Sequence, residues 1–385
     1  MNIAFFTDTF IPQVNGVANT VYRSAQELTS LGHNVCIYTI SKKSKKELNK
    51  LTGDKIKVFT IPSVSALIYK GERIAIPMGL SIKEMRKFKP DIIHTHTPFS
   101  MGKEAILCAK KLNIPLVGTH HTFYDYYLKH IYLDYDWTKK FSWNYTVKYY
   151  NHCKTVISPT QSLADSLKLN NLLKNIEIVP NPVDIEKFFP VKNREEKEKL
   201  KSSFKIKGKS LVYMGRVSYE KSIDQVIKSV AIIAKEVKDI KLLIIGDGPE
   251  RKNLIKLTED LGLQNNVIFT GFIYGDDLIK ALQVSDIFLL GSKSENMPLA
   301  VLEAMATGLP ILSVSSLGMV EIVKDGQNGF LLPPDNPIEM AKATLKLLND
   351  PKKLENFSIK SRELSFIYSL EQTAVKLLEI YKKII

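Results

Sequence analysis

The chain has 385 residues, 44% of them apolar, and a formal net charge of +14. That length exceeds one typical domain and fits two α/β domains, each with material for its own core. No apolar run reaches the ~20 residues of a membrane-spanning helix, and the opening "MNIAFFTD" lacks the basic start of a secretory signal.

Cys36, Cys108 and Cys153 lie far apart in apolar settings, so buried thiols in a reducing compartment are expected. The charge is uneven. Residues 1–186 hold 24 basic against 15 acidic side chains, and the densest runs are 42–57 and 70–89. Such a surplus suits an anionic membrane surface or a nucleic acid, or forms a solvated lysine-rich face. No nucleic-acid-binding motif accompanies it.

"NIAFFT" opens the chain as a strand and leads into "DTFIPQVNGVANTV". Asn15-Gly16 is a strong hairpin signal. Yet Val17, Val21, Ala25 and Leu28 follow at helical spacing. The stretch is therefore a strand-to-helix loop, either an ordinary connection or one whose glycine admits a ligand to the backbone. "NVCIYTI", "DIIHTH", "PLVGTHH" and "TVISPT" continue as short β-rich runs, several separated by helical patterns, which predicts a doubly wound parallel sheet.

Pro180-Asn181-Pro182 cannot lie inside a helix or a central strand and marks a hinge, with a first domain over 1–182. "NREEKEKLKSSFKIKGK" reads as a charged surface helix. The alternation then restarts with "SLVYMGR", "KLLIIGDG", "NVIFTGF", "DIFLLGS", "PILSVSS" and "GFLLPP", a second domain over 183–363. The chain from Asp350 onward is helical, and 364–385 form a terminal helix. Ligands of such sheets bind outside the carboxyl ends of the strands, so the loops after each strand carry the chemistry.

After "SLVYMG" come Arg216 and Lys221. Ser222 and Gln225 have the spacing of a capping box for a helix with Ile223, Val226, Ile227 and Val230 on its apolar face. Lys221 beside a helix N-terminus is unfavourable unless an anion shares the place. With the planar fork of Arg216, the pair reads as a diphosphate clamp. "IIGDGPE" lacks the third glycine of a dinucleotide fingerprint, though a turn at Gly246 still lets a base or ribose approach the backbone. In "SENMPLAVLEAMATGLP", Pro298 fits a first helical turn and Leu299, Leu302, Met305 and Ala306 form a buried stripe. Glu295 then lies in the loop, and Glu303 two turns into the helix, as acceptors for sugar and ribose hydroxyls.

His94 and His96 end a strand and are either structural or functional imidazoles. His120 and His121 are adjacent, so their side chains face opposite ways. Asp134 and Asp136 form an Asp-x-Asp in a tyrosine-rich stretch with no preceding strand, and no essential metal is expected from it.

"GRVSYEKSID", "IIGDGPE", "TGFI" and "SENMPLAVLEAMATGLP", with "IVPNPVD" upstream, resemble a retaining family 4 glycosyltransferase over nearly the whole chain. The resemblance implies the GT-B fold: two Rossmann-like domains facing across a cleft, with the final helix crossing back to the first. By it, Arg216 and Lys221 hold the donor diphosphate and Glu303 the ribose. Glu295 and the backbone of Asn296, Met297, Pro298 and Leu299 meet the transferred sugar, and Gly246 lies on the donor side. "FTDTFIPQVNGVANTV", "DIIHTHTPFSMG" and "GTHHTFYDYYLKHI" are similar to bacterial diacylglycerol α-glucosyltransferases. This implies UDP-glucose as donor and diacylglycerol as acceptor. It also implies a cytoplasmic, peripheral enzyme on the inner face of an anionic membrane, without nucleic acid or metal. Gly16 then approaches the donor phosphate, and His121 of Thr119-His120-His121-Thr122 sits by the sugar. Val14, Asn15, His121, Tyr124 and Tyr127 fall on the acceptor side. "IAIPMGLSI" (74–82) between the basic runs is expected to dip into the membrane interface. The chain carries "ENMP" where several glycolipid relatives have Thr-Gln-Gly.

Overall fold

The computed structural model describes residues 1–13, 15–41, 43–65, 73–124, 135–204 and 206–385. Two parallel sheets organise it, one in each of two units: Met1–Pro182 with Leu370–Ile385, and Val183–Ser369.

The first unit runs β1 (Asn2–Thr7), α1 (Gly16–Ser30), β2 (Asn34–Thr39), α2 (Lys45–Leu51) and β3 (Lys57–Thr60). A short hairpin, β4 (Val64–Ser65) with β5 (Arg73–Ile74), precedes α3 (Ile82–Phe88). The unit continues through β6 (Ile92–Thr95), α4 (Ser100–Leu112), β7 (Leu116–Thr119) and α5 (Asp136–Tyr150). It then adds β8 (Thr155–Ser158), α6 (Gln161–Leu169) and β9 (Asn175–Ile178). Strand order is β3-β2-β1-β6-β7-β8-β9, so the topological switch lies between β1 and β6.

Alternation along the strands divides the core by face. Ala4, Phe6, Cys36, Tyr38 and Ile93 pack on one side, and Ile3, Phe5, Val35, Ile37 and Ile92 on the other. The second side is closed by Ala374, Leu377, Ile380 and Tyr381 of the C-terminal helix, Leu370–Ile384.

In the second unit α7 (Arg194–Ser203) precedes β10 (Ser210–Met214), α8 (Ile223–Glu236), β11 (Lys241–Ile245) and α9 (Arg251–Asp260). Next come β12 (Val267–Gly271), α10 (Gly275–Gln283), β13 (Ile287–Leu290) and α11 (Leu299–Ala306). The unit ends with β14 (Ile311–Val314), α12 (Met319–Ile322), β15 (Gly329–Leu332), α13 (Pro337–Leu348) and α14 (Pro351–Ser365). Its order is β12-β11-β10-β13-β14-β15, with the switch between β10 and β13. Residues 364–369 lie in this unit, where the amide of Val183 donates to the carbonyl of Tyr368 at 2.8 Å.

Two details depart from the sequence reading, while the cysteines are buried as expected. The strands at 57–60 and 175–178 and the small hairpin carry no clear alternation signal. Part of the basic run at 42–57 is the helix α2, opened by a capping box between Ser44 and Glu47, and Lys57 begins an edge strand; Lys42 lies outside the described residues. The three cysteines are free and buried, and burial pushes each thiol up to about 12. Among the described residues no helix is long and apolar enough to cross a membrane.

Candidate functional site

The second unit's switch point is bridged by an ion pair. Lys221, in the loop after β10, places Nζ 2.7 Å from Oε1 of Glu295, in the loop after β13. Both side chains are largely buried. Arg216 stands five residues before Lys221 and is exposed. Glu303 is buried within α11, not on a solvent face, because that helix is packed on nearly every side. Asn296, Met297 and Leu299 are buried beside it, and Pro298 caps the helix with extended backbone.

The capping box read at Ser222 and Gln225 does not form. Ser222 has φ 48° and its side chain makes no cap hydrogen bond. The reason is the turn before it. Tyr219–Lys221 form a 3₁₀ turn, and the Ser222 carbonyl lies where a side chain on Gly291 would stand, 2.5 Å from a built Cβ. Lys221 is therefore held by Glu295 across the switch point.

The glycines of this region are set by the protein's own backbone. A Cβ on Gly246, at φ +134°, would lie 1.9 Å from the carbonyl oxygen of Gly215. One on Gly248 would lie 2.2 Å from that of Val217. The amides of Gly215 and Val217 donate to the carbonyls of Ile245 and Asp247, closing the two loops together. Loop packing by itself requires a glycine at position 246.

Gly16 differs. It is exposed, opens α1, and a Cβ on it meets nothing within 4 Å. Asn15 is the N-cap: its Oδ1 accepts from the Ala18 amide at 2.8 Å, and its Nδ2 donates to Thr9 Oγ1 at 2.6 Å. That side chain is committed to the loop's own architecture. The amides of Gly16 and Val17 precede the helix's first internal hydrogen bond and point out of its N-terminus.

The first unit's switch point is also bridged, by a residue that sequence reading passed over. Asp8 follows β1 and accepts from Thr97 Oγ1 at 2.6 Å, from the Met101 amide at 2.9 Å and from the Ser100 hydroxyl, all after β6. Burial raises its pKa while these donors pull it down. The signal was an acid directly after the first strand.

Beside it lies a histidine network. His94 is bonded at both ring nitrogens, Nδ1 to Tyr381 Oη at 2.5 Å and Nε2 to Thr119 Oγ1 at 2.6 Å. Its ring stacks on His96, with centroids 4.2 Å apart. His96 Nδ1 lies 3.2 Å from Nε2 of His121, whose side chain also bonds Asn181. Burial lowers His121 to about 4 and His94 to about 3, and holds His96 well below its usual range. His120 points the other way, as strand alternation requires, among the rings of Tyr124, Trp143 and Tyr150. His94 is thus structural, and His121 is one of a neutral, hydrogen-bonded set.

Asn181, read only as part of a hinge, belongs to this set. Tyr124 packs between Phe99 and His120. Val14, Tyr127 and Asp134 lie outside the described residues. Among the described residues no three His, Cys, Asp or Glu side chains group to hold a metal ion.

Residues 14–187 match Glycosyltransferase Family 4, and residues 194–364 match glycosyl transferases group 1. The alpha-monoglucosyldiacylglycerol synthase of Streptococcus pneumoniae is 31% identical over 353 residues, covering 90% of this chain and 78% of its own length. The protein of the same name from Acholeplasma laidlawii is 28% identical, covering 95% and 92%. A GDP-mannose-dependent alpha-mannosyltransferase of Corynebacterium glutamicum is also 28% identical, over 86% of this chain and 76% of its own. Anabaena HepE, crystallised with UDP and glucose, matches over the full length of both chains with a TM-score of 0.79 at 18% identity, a likeness of fold. The architecture is that of the GT-B glycosyltransferases.

Proposed function

The chain belongs to the family 4 glycosyltransferases, and we propose that it moves glucose from UDP-glucose to the hydroxyl of a 1,2-diacylglycerol with retention of configuration. The observation carrying the site assignment is the Lys221–Glu295 bridge across the switch point of the second sheet. The substrate assignment rests on the two relatives named as monoglucosyldiacylglycerol synthases.

In this reading Lys221 exchanges a carboxylate for the donor's diphosphate, and Arg216 adds a planar fork to the phosphate oxygens. Lys221 is held at the switch point before substrate arrives, so charge growing on the leaving group meets a preorganised cation. Glu295, released from Lys221, accepts from a hydroxyl of the transferred sugar. Glu303 accepts from the ribose, and the backbone of Asn296–Leu299 lines the sugar. The first-turn amides at Gly16 offer donors to a phosphate oxygen. The sugar passes through an oxocarbenium-like state. The departing phosphate takes the acceptor's proton, and neutral His121 positions the sugar. No metal is required in this mechanism.

Diacylglycerol resides in a bilayer, so the protein docks there through its basic first unit as a peripheral protein of the cytoplasmic face. Ile74, Ile76, Met78 and Leu80 are exposed, as insertion into the interface demands. The Corynebacterium relative favours a second reading, with GDP-mannose as donor. Incubating the protein with each labelled nucleotide-sugar, and with diacylglycerol vesicles or soluble acceptors, separates these readings. The first requires labelled lipid from UDP-glucose.

A further inference from the structure

We infer that the outward face of α5 is a second membrane-insertion element, in which Trp137 and Phe141 enter an anionic bilayer while lysines on the same face meet its headgroups. The inference rests on the lipid-acceptor reading. Trp137 is 69% and Phe141 67% exposed, among the largest apolar surfaces left open by this unit. Trp137, Lys140, Phe141, Asn144 and Lys148 are all exposed. Their spacing of three, four, seven and eleven residues from Trp137 puts them on one side of the helix. The opposite side is closed, with Val147, Tyr149 and Tyr150 in the core.

The helix is held next to the other exposed apolar segment. Tyr145 Oη donates to the Pro98 carbonyl at 2.7 Å, just before α4. The 74–81 segment is fastened to the same two turns of α4. Its Ala75 amide donates to Ser100 Oγ at 3.2 Å, and its Gly79 and Ser81 amides donate to buried Glu104 at 2.8 Å each. Phe99, also exposed, lies between the two attachments.

The charge names the occupant. Lys83, Arg86, Lys87, Lys103, Lys140 and Lys148 are exposed around these apolar side chains, against exposed Asp136 and half-buried Glu84. An aromatic body inserted at the interface with cations beside it is the chemistry of an anionic lipid surface.

The sequence has two tryptophans, and the other, Trp143, is half-buried against His120 and Phe123. In a Trp143→Phe variant, emission therefore reports Trp137 alone. With phosphatidylglycerol–phosphatidylcholine vesicles, that emission is expected to shift to shorter wavelength and to be quenched by brominated acyl chains. Trp137→Ala in the wild-type background is expected to weaken vesicle partition on the order of tenfold. Binding without shift or quenching overturns the insertion of α5 and leaves the lipid reading intact. No binding to any vesicle overturns both. A shift that tracks protein concentration without lipid assigns the face to a second copy of the chain and also overturns the proposal.

Discussion

Lys221 Nζ and Glu295 Oε1 stand 2.7 Å apart, joining the loops that follow two neighbouring strands of the second sheet. In the first sheet the corresponding place is closed by Asp8 and the hydroxyls of Thr97 and Ser100. The two differ in what they leave available. Asp8 is held by three short-range donors, whereas the Lys221 pair joins a cation to an anion that another anion can displace.

Lys221 and Glu295 are therefore expected to part company on mutation. Lys221→Ala should weaken UDP binding at least about tenfold and destabilise the fold by about 3 kcal/mol, since Glu295 is left buried without its cation. Glu295→Gln should lower turnover yet leave UDP binding unchanged or tighter, because it removes the anion competing for Lys221. Calorimetric titration with UDP and thermal unfolding measure both. Equal loss of UDP affinity in the two variants contradicts the exchange.

Substitutions at Gly16 and Gly246 separate the proposed ligand contact from a demand of the fold. Gly16→Ala places its Cβ in open space at a helix start and should leave the melting temperature unchanged while turnover falls sharply. Gly246→Ala drives a Cβ into the Gly215 carbonyl at a backbone angle that L residues avoid, and should unfold at markedly lower temperature. A stable, fully active Gly16→Ala variant denies that a ligand approaches there.

Acid should destabilise the first unit through its histidines. His94 and His120 are lowered to about 3 and His121 to about 4, from an ordinary value near 6.5. Below pH 6.5 the unfolded chain binds protons that the folded chain refuses. Their stabilising effect is thus fully present above pH 6.5 and is lost as pH falls toward 4 and 3. Denaturant unfolding across that range should show the decline. His120 has neither ring nitrogen hydrogen-bonded, so His120→Phe should flatten the decline and hold or raise stability at pH 7.

The C-terminal helix is tied to this network by one hydroxyl. Tyr381→Phe keeps the ring and loses the bond to His94, which should cost about 1 kcal/mol. Urea unfolding reads the difference, and an unchanged midpoint contradicts a contribution from that bond.

Much of this architecture was legible in the sequence because buried parallel strands read as apolar runs that end in small or polar loops. Short edge strands such as β3 and β9 were not legible, since each has a side without a partner strand and lacks a continuous apolar run. Arg216, Lys221, Glu295 and Glu303 were singled out because they sit in loops after strands or on the helix that follows. Their pairing was not, because a separation of 74 residues says nothing of contact. Ser222 had the composition of a cap, but packing against Gly291 turned its backbone left-handed. The bridging by Asp8 and the His96–His121–Asn181 contacts were not legible, because each joins residues distant in sequence.

Retaining transfer to a lipid hydroxyl leaves its record in the product. The protein is incubated with UDP-glucose and diacylglycerol vesicles, and the purified lipid product is examined by NMR for sugar identity and anomeric configuration. The expected product is a single α-linked glucose on diacylglycerol. A β-linked product, or a glycosylated lipid formed from GDP-mannose and none from UDP-glucose, contradicts it.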